Sequence, residues 1–211
     1  MRKENATIMK LAETALLAAL CYVSFTFLQI KIPVPGGDAT SIHIGNAFCV
    51  LAALLVGGVY GGLAGAVGMT IADLMDPVYI TVAPKTFVLK FCIGLITGLV
   101  AHKVAKIDES TDKTYVFRWS LIASIAGLAF NVVADPVVGY FYKRFLLGQP
   151  QELASVLAKL SAGATFINAI VSVVLVAVLY NALRPALIKM NLLQIRPLKN
   201  TKQMTNKNVQ G

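Results

Sequence analysis

Residues 44–76 read IGNAFCVLAALLVGGVYGGLAGAVGMTIADLMD, and no charged residue occurs from Ile44 to Ala72. A membrane helix needs about 20 mostly apolar residues. The uncharged run is too long for one straight span and too short for two spans with an ordinary loop. Gly57-Gly58 and Gly61-Gly62 lie near its middle. Glycine pairs punctuate helices, so a tight turn near residues 57–60 is expected to join two short spans.

Working outward, Thr14 to Ile30 is uncharged and Leu11 extends it backwards, giving a first span. It is long for a signal peptide and has no small-x-small cleavage site at its end. KIPVPGGDATSI (31–42) reads as a polar loop. Asp73 to Lys85 carries the chain back, and a fourth span runs from about Pro84 to His102. HKVAKIDESTDKTYVFR (102–118) is aqueous. A fifth span covers Arg118 to Tyr142, with a kink expected at Pro136. KRFLLGQPQELASVLAK (143–159) is expected to be an interfacial loop with a short helix, and Leu160 to Leu183 to be the last span. Hydrophobic residues make up 57% of the chain and charged ones 14%, against about 45–50% and 25% in soluble domains. Mean hydropathy is +0.72. These values exclude a soluble globule, a disordered chain and a disulfide scaffold. The expected fold is an all-α integral membrane protein with six transmembrane helices. Residues 1–190 would form one membrane domain, and 191–211 a basic, disordered cytoplasmic tail.

The chain has 19 Lys and Arg against 10 Asp and Glu. Their distribution fits membrane topology better than nucleic acid, which is not expected as a partner. Six spans place Arg2, Lys3, Lys10, Lys103, Lys106, Lys113, Arg118, Arg184, Lys189 and the cations of the tail on one side. Lys31, Lys85, Lys143, Arg144 and Lys159 fall on the other. Cations accumulate on the cytoplasmic side, so both termini are expected there.

Gly57, Gly61 and Gly65 recur every four residues, as do Gly58 and Gly62, Ala64 and Gly68, and Gly94 and Gly98. This spacing stacks small side chains on one helix face and lets backbones approach closely. Ala15 and Ala19 share it in the first span. Packing inside the bundle accounts for most of these faces; the alanine pair can instead face another protein.

Charges inside a bilayer are costly and mark functional sites. Lys90 lies within the fourth span, with Thr86 and Thr97 on a polar stripe; snorkelling to the interface is the alternative. Asn131 and Asp135 are four apart and share a face, and Pro136 frees a backbone carbonyl beside them. Asn168 stands in the last span. Asp73 and Asp76 share a face at the end of the third span, close in the chain to Lys85. Their spacing occurs in metal–phosphate sites, but no phosphate cradle accompanies it. His43 opens the second span, with Asn46 one turn on. His102 at a helix end is read as structural, where the macrodipole favours a cation. Most of these groups fall in the outer half of a six-span bundle, which describes a small-molecule pocket open to the outside. Tyr79, Tyr140, Phe141 and Tyr142 are candidates for ring stacking there.

GxxxxGK[ST], HExxH, CxxC and GxSxG are absent, so the chain has no P-loop of its own. Cys21, Cys49 and Cys92 fit no metal spacing and read as small core residues. No cofactor or metal is expected, and no enzyme activity. Two rivals follow from the same residues. One is an autonomous secondary transporter, proton-coupled through Asp135 or Lys90. The other is a membrane enzyme using Asp73 and Asp76.

His43-Ile-Gly-Asn-Ala-Phe, continuing through GGVYGGLAGAVGMTIADLM to Asp76, resembles the second and third spans of S components of energy-coupling factor (ECF) transporters. The riboflavin-transporter-like branch matches best. APKTFVLK (83–90), followed by Gly94 and Gly98, is similar to that branch's fourth span. The resemblance covers most of residues 11–185, although Leu-Met-Asp-Pro-Val-Tyr after Asp73 departs from the branch's Gly-Tyr ending. It implies a six-helix protein of the bacterial plasma membrane that binds a vitamin or related micronutrient, such as riboflavin or a pyridoxine- or pyrimidine-type precursor. It further implies docking on a membrane T component and two cytoplasmic ATPases through an AxxxA face, which Ala15 and Ala19 match. The substrate-binding candidates are then His43, Asn46, Asp73, Asp76, Lys85, Lys90, Asn131, Asp135, Tyr140 and Asn168.

Overall fold

The computed structural model describes residues 3–34 and 38–190. The expectation of a disordered tail over 191–211 falls outside them. The described residues form six α-helices: α1 (Lys3–Phe27), α2 (Gly45–Val56), α3 (Gly58–Leu74), α4 (Ala83–Gly98), α5 (Lys113–Phe141) and α6 (Gln151–Lys189). Two strands, β1 (Gln29–Val34) and β2 (Asp38–His43), pair antiparallel between α1 and α2, with Gln29 opposite His43 and Val34 opposite Asp38.

Among the described residues, four helical segments are long and apolar enough to cross a membrane: Thr7–Phe27, Ile80–Val104, Lys113–Leu146 and Gln151–Lys189. The long run that decides the fold divides into two shorter helices of 12 and 17 residues. Gly57 alone joins them, at φ +94°, a conformation that side chains with a Cβ rarely adopt. α2 can be short because it touches no lipid along most of its length. Ala47, Cys49, Val50, Ala52, Ala53 and Leu54 are fully buried, and α2 packs against α1, α3, α4 and α6. A helix apolar all round belongs inside a bundle.

The glycine spacing becomes three distinct contacts on α3. Gly58 and Gly62 meet Gly98 and Gly94 of α4, where a Cβ on either α4 glycine would strike α3 backbone. Gly61 and Gly65 sit on Ala53 and Cys49 of α2, and Gly68 on Ala18 and Cys21 of α1. Without a hydrophobic force between helices in lipid, such close packing supplies the attraction.

Two local expectations change. Residues 31–42 are not a loop but most of a hairpin. Ile30, Ile32 and Val34 alternate with Gln29, Lys31 and Pro33, a period-two pattern, and in a two-stranded ribbon Pro33 sits on an edge where it is tolerated. Residues 143–159 are not a long interfacial loop: a π-helical turn (Tyr142–Leu146) continues α5, and α6 already begins at Gln151. Pro136, where the kink was expected, lies inside α5.

The hairpin defines one end of the bundle. At the opposite end His102 uses both ring nitrogens, Nδ1 to Asp108 at 2.6 Å and Nε2 to the Ala53 carbonyl at 2.9 Å. Arg184 donates to the Ile107 and Ser110 carbonyls at 3.2 and 3.1 Å. These bonds tie the ends of α2, α4 and α6 together, which is the structural role expected of His102.

Candidate binding site

Helical spacing builds the site, one stripe per helix. On α5, Ser120, Ser124, Gly127, Asn131 and Gly139 are buried in steps of three, four or eight residues, and Asp135 lies on the same line. On α6, Ser161, Thr165, Asn168 and Ser172 form a second polar stripe, and on α4 Thr86, Lys90 and Thr97 a third. Residues three or four apart share a helix face. The stripes converge at the hairpin end around a cavity of about 110 Å³, with β2 as one wall.

His43, Asn46, Asp73, Lys85, Lys90, Asn131, Asp135 and Asn168 all line this cavity. Lys85 pairs with Asp135 at 2.9 Å. The second oxygen of Asp135 accepts from Ser161 and, at 3.3 Å, from Thr165. Lys90 is buried, so it does not snorkel to an interface; it donates to Asn46 Oδ1 at 2.9 Å. Asp73 is 2% exposed. Thr86 faces its carboxyl group, and its Oδ2 has no partner. Asn131 Oδ1 and His43 Nδ1 are likewise buried without a partner. Burial, and next the Lys90 ammonium, push His43 down to about 3, while Asp135 pulls the other way. The imidazole is therefore neutral at pH 7, and its ring stands edge-on to Phe25 at 4.7 Å.

Two expected site residues lie elsewhere. Asp76 pairs with Lys31 of β1 and accepts the Val78 N–H at 3.1 Å, so it caps the turn after α3 and fastens the hairpin. Its helix has ended by Leu74, and the shared face expected for Asp73 and Asp76 ends with it. Tyr140 follows Gly139, and one residue is about 100° of helix rotation. It therefore leaves the cavity side and lines a groove with Pro136, Phe141 and Ala162 on the flank of α5 and α6.

Asn168 has a different geometry from the other amides. It accepts the His43 N–H at 2.9 Å and donates to the Ser41 carbonyl at 3.0 Å, clamping β2 onto α6. Phe25, Ser161, Thr165 and Lys143 also line the cavity and were not among the expected residues. Ser161 and Thr165 were legible as the continuation of the Asn168 stripe. Lys143 was placed in a loop because the continuation of α5 past Phe141 was not visible. Among the described residues, no three His, Cys, Asp or Glu stand together as metal ligands.

Membrane-length helices closing over a charged cavity define a multi-pass membrane protein with an internal ligand-sized chamber. Residues 5–185 match the family ECF-type riboflavin transporter, S component, and the chain belongs to that family. It is also 34% identical over 76 residues to an uncharacterized protein in a gap 3' region of Pyrococcus woesei. That match covers 36% of this chain and 49% of the relative, so the chain spans about half the relative's length. No solved structure matches the chain.

Proposed function

We propose that this chain is the high-affinity substrate-binding S component of an ECF-type importer in a bacterial plasma membrane. It captures a vitamin or related micronutrient, riboflavin or a pyridoxine- or pyrimidine-type precursor, at the hairpin end. That end faces outward, and both termini are cytoplasmic. A T component and two cytoplasmic ATPases supply the driving force. The carrying observation is the charged cavity itself: Lys90, Asp73 and the Lys85–Asp135 pair turn inward within an apolar bundle. Burying such groups is costly unless a partner or ligand repays it. Ala15 and Ala19 are exposed on α1, which supports their use as a docking face.

Asp135 is held by Lys85, Ser161 and Thr165, an arrangement that favours ligand orientation over proton carriage. Asp73 and Asp76 face different partners, which disfavours a two-carboxylate enzyme. Titration of the purified protein with a vitamin panel is the test. One ligand is expected to bind at micromolar affinity or tighter, and absence of any such ligand overturns the substrate reading. Gradient-driven accumulation in proteoliposomes lacking ATPases would favour the secondary transporter instead.

A further inference from the structure

The geometry points to a second site, on the flank of α5 and α6: a groove that holds one anionic phospholipid, its acyl chain along the floor and its phosphodiester on Lys159. The groove backs directly onto the cavity. Asp135, Gly139, Leu157 and Ser161 line the cavity, and the residues that follow them, Pro136, Tyr140, Ala158 and Ala162, line the groove. One residue is about 100° of helix rotation, so each helix gives one face to each space. Ser155, Ala158 and Ala162 recur at intervals of three and four on α6 and share a face. Their side chains are short, which hollows the helix surface between them. On the α5 side the Tyr140 and Phe141 rings meet edge to face at 5.4 Å. Phe145 stacks on Phe141 at 5.9 Å and extends the aromatic row past the groove.

Both helices belong to segments long and apolar enough to cross a membrane, so lipid chains are the surroundings of an apolar groove between them. Charge then selects the lipid. Lys159 lines the groove and is exposed. Among the described residues it belongs to no ion pair. Glu152 is the only acid on α6; it stands two turns away and does not line the groove. A lysine stem follows apolar surface while its ammonium reaches headgroup level, and aromatic rings gather at that same level. Basic pockets between membrane helices take anionic headgroups. A zwitterionic lipid carries its own cation to the phosphate and gains less from Lys159. An apolar helix seated in the groove would bury Lys159 with no counter-charge, which is costly.

The test uses the full chain in nanodiscs of equal phosphatidylglycerol and phosphatidylcholine, either lipid bearing a photoactivatable diazirine in its acyl chain. Mass spectrometry maps the labelled peptides, and native mass spectrometry counts the lipids retained on the released protein. One phosphatidylglycerol per chain is expected, retained at least fivefold over phosphatidylcholine, with its label concentrated in residues 136–141 and 155–162. Lys159→Gln should bring that ratio to within twofold of unity, and Lys159→Arg should keep it. The wild-type label map decides even where a variant does not fold. Equal retention of the two lipids overturns the proposal. So does label spread evenly over the helices or gathered at the basic stretch 103–118, and so does a groove shielded from label by a second copy of the chain. None of these outcomes bears on the substrate reading.

Discussion

Asn168 carries two hydrogen bonds that no neighbouring side chain replaces, one from the His43 N–H and one to the Ser41 carbonyl. Leucine at 168 keeps the volume and leaves both backbone groups buried without a partner, at about 1–3 kcal/mol each. Asn168→Leu is therefore expected to speed amide exchange over residues 39–43, read by hydrogen–deuterium exchange, and to shorten ligand residence. Asp135→Leu strands Lys85 in a site where its ammonium is largely buried. Breaking such a pair costs about 3–5 kcal/mol, whereas replacing both partners by apolar groups is far milder. The double variant Lys85→Met/Asp135→Leu should regain most of the melting temperature lost by Asp135→Leu alone. His43 gives a pH dependence. Burial first and Lys90 second hold it at about 3 when folded, against 6.5 ordinarily. The unfolded chain then binds a proton that the folded chain refuses, so stability falls as pH drops from about 6.5 toward 3. His43→Gln should flatten that slope in melting curves taken between about pH 7 and pH 4.

At the scale of elements, α3 and α4 meet backbone to backbone through their glycines. Gly94 lies against Gly62, and a side chain at 94 meets backbone rather than a flexible side chain. Overpacking typically costs about 1–3 kcal/mol, and backbone cannot rotate away, so Gly94→Leu should lower the melting temperature sharply. Gly163 on α6 has nothing within 4 Å of a Cβ, and Gly163→Ala should be neutral or slightly stabilising through helix propensity. Of the local structure, the α2–α3 turn was readable because glycine pairs interrupt an otherwise uniform apolar run. The hairpin was passed over: Pro33 and the Pro and Gly residues that follow it in the sequence outweighed the alternation of Ile30, Ile32 and Val34. The true start of α6 was hidden because Gln151, Glu152 and Lys159 make a helical segment look aqueous.

For the whole molecule, the exposed Ala15 and Ala19 make a clean separation of functions testable. Ala15→Trp is expected to abolish uptake in cells expressing T component and ATPases while ligand affinity stays within about twofold. Unchanged uptake would refute docking through this face. The position lies on α1 and outside the cavity lining, so a parallel loss of binding would signal misfolding.

Composition and apolar run length already dictated a bundle of membrane helices, because about 20 apolar residues in a row have no other place to go. Helical periodicity within one segment likewise aligned Asn131 with Asp135 and Thr86 with Lys90, since those pairs need only one helix to be neighbours. What periodicity within a segment cannot encode is how helices rotate against one another or where each one stops. Tertiary packing therefore decided that Asp73 turns inward while Asp76 meets Lys31, that Tyr140 faces away, and that Asn168 is spent on the hairpin. It also brought Lys90 of α4, Asp73 of α3 and Asp135 of α5 to one cavity, through close contacts among segments far apart in the chain.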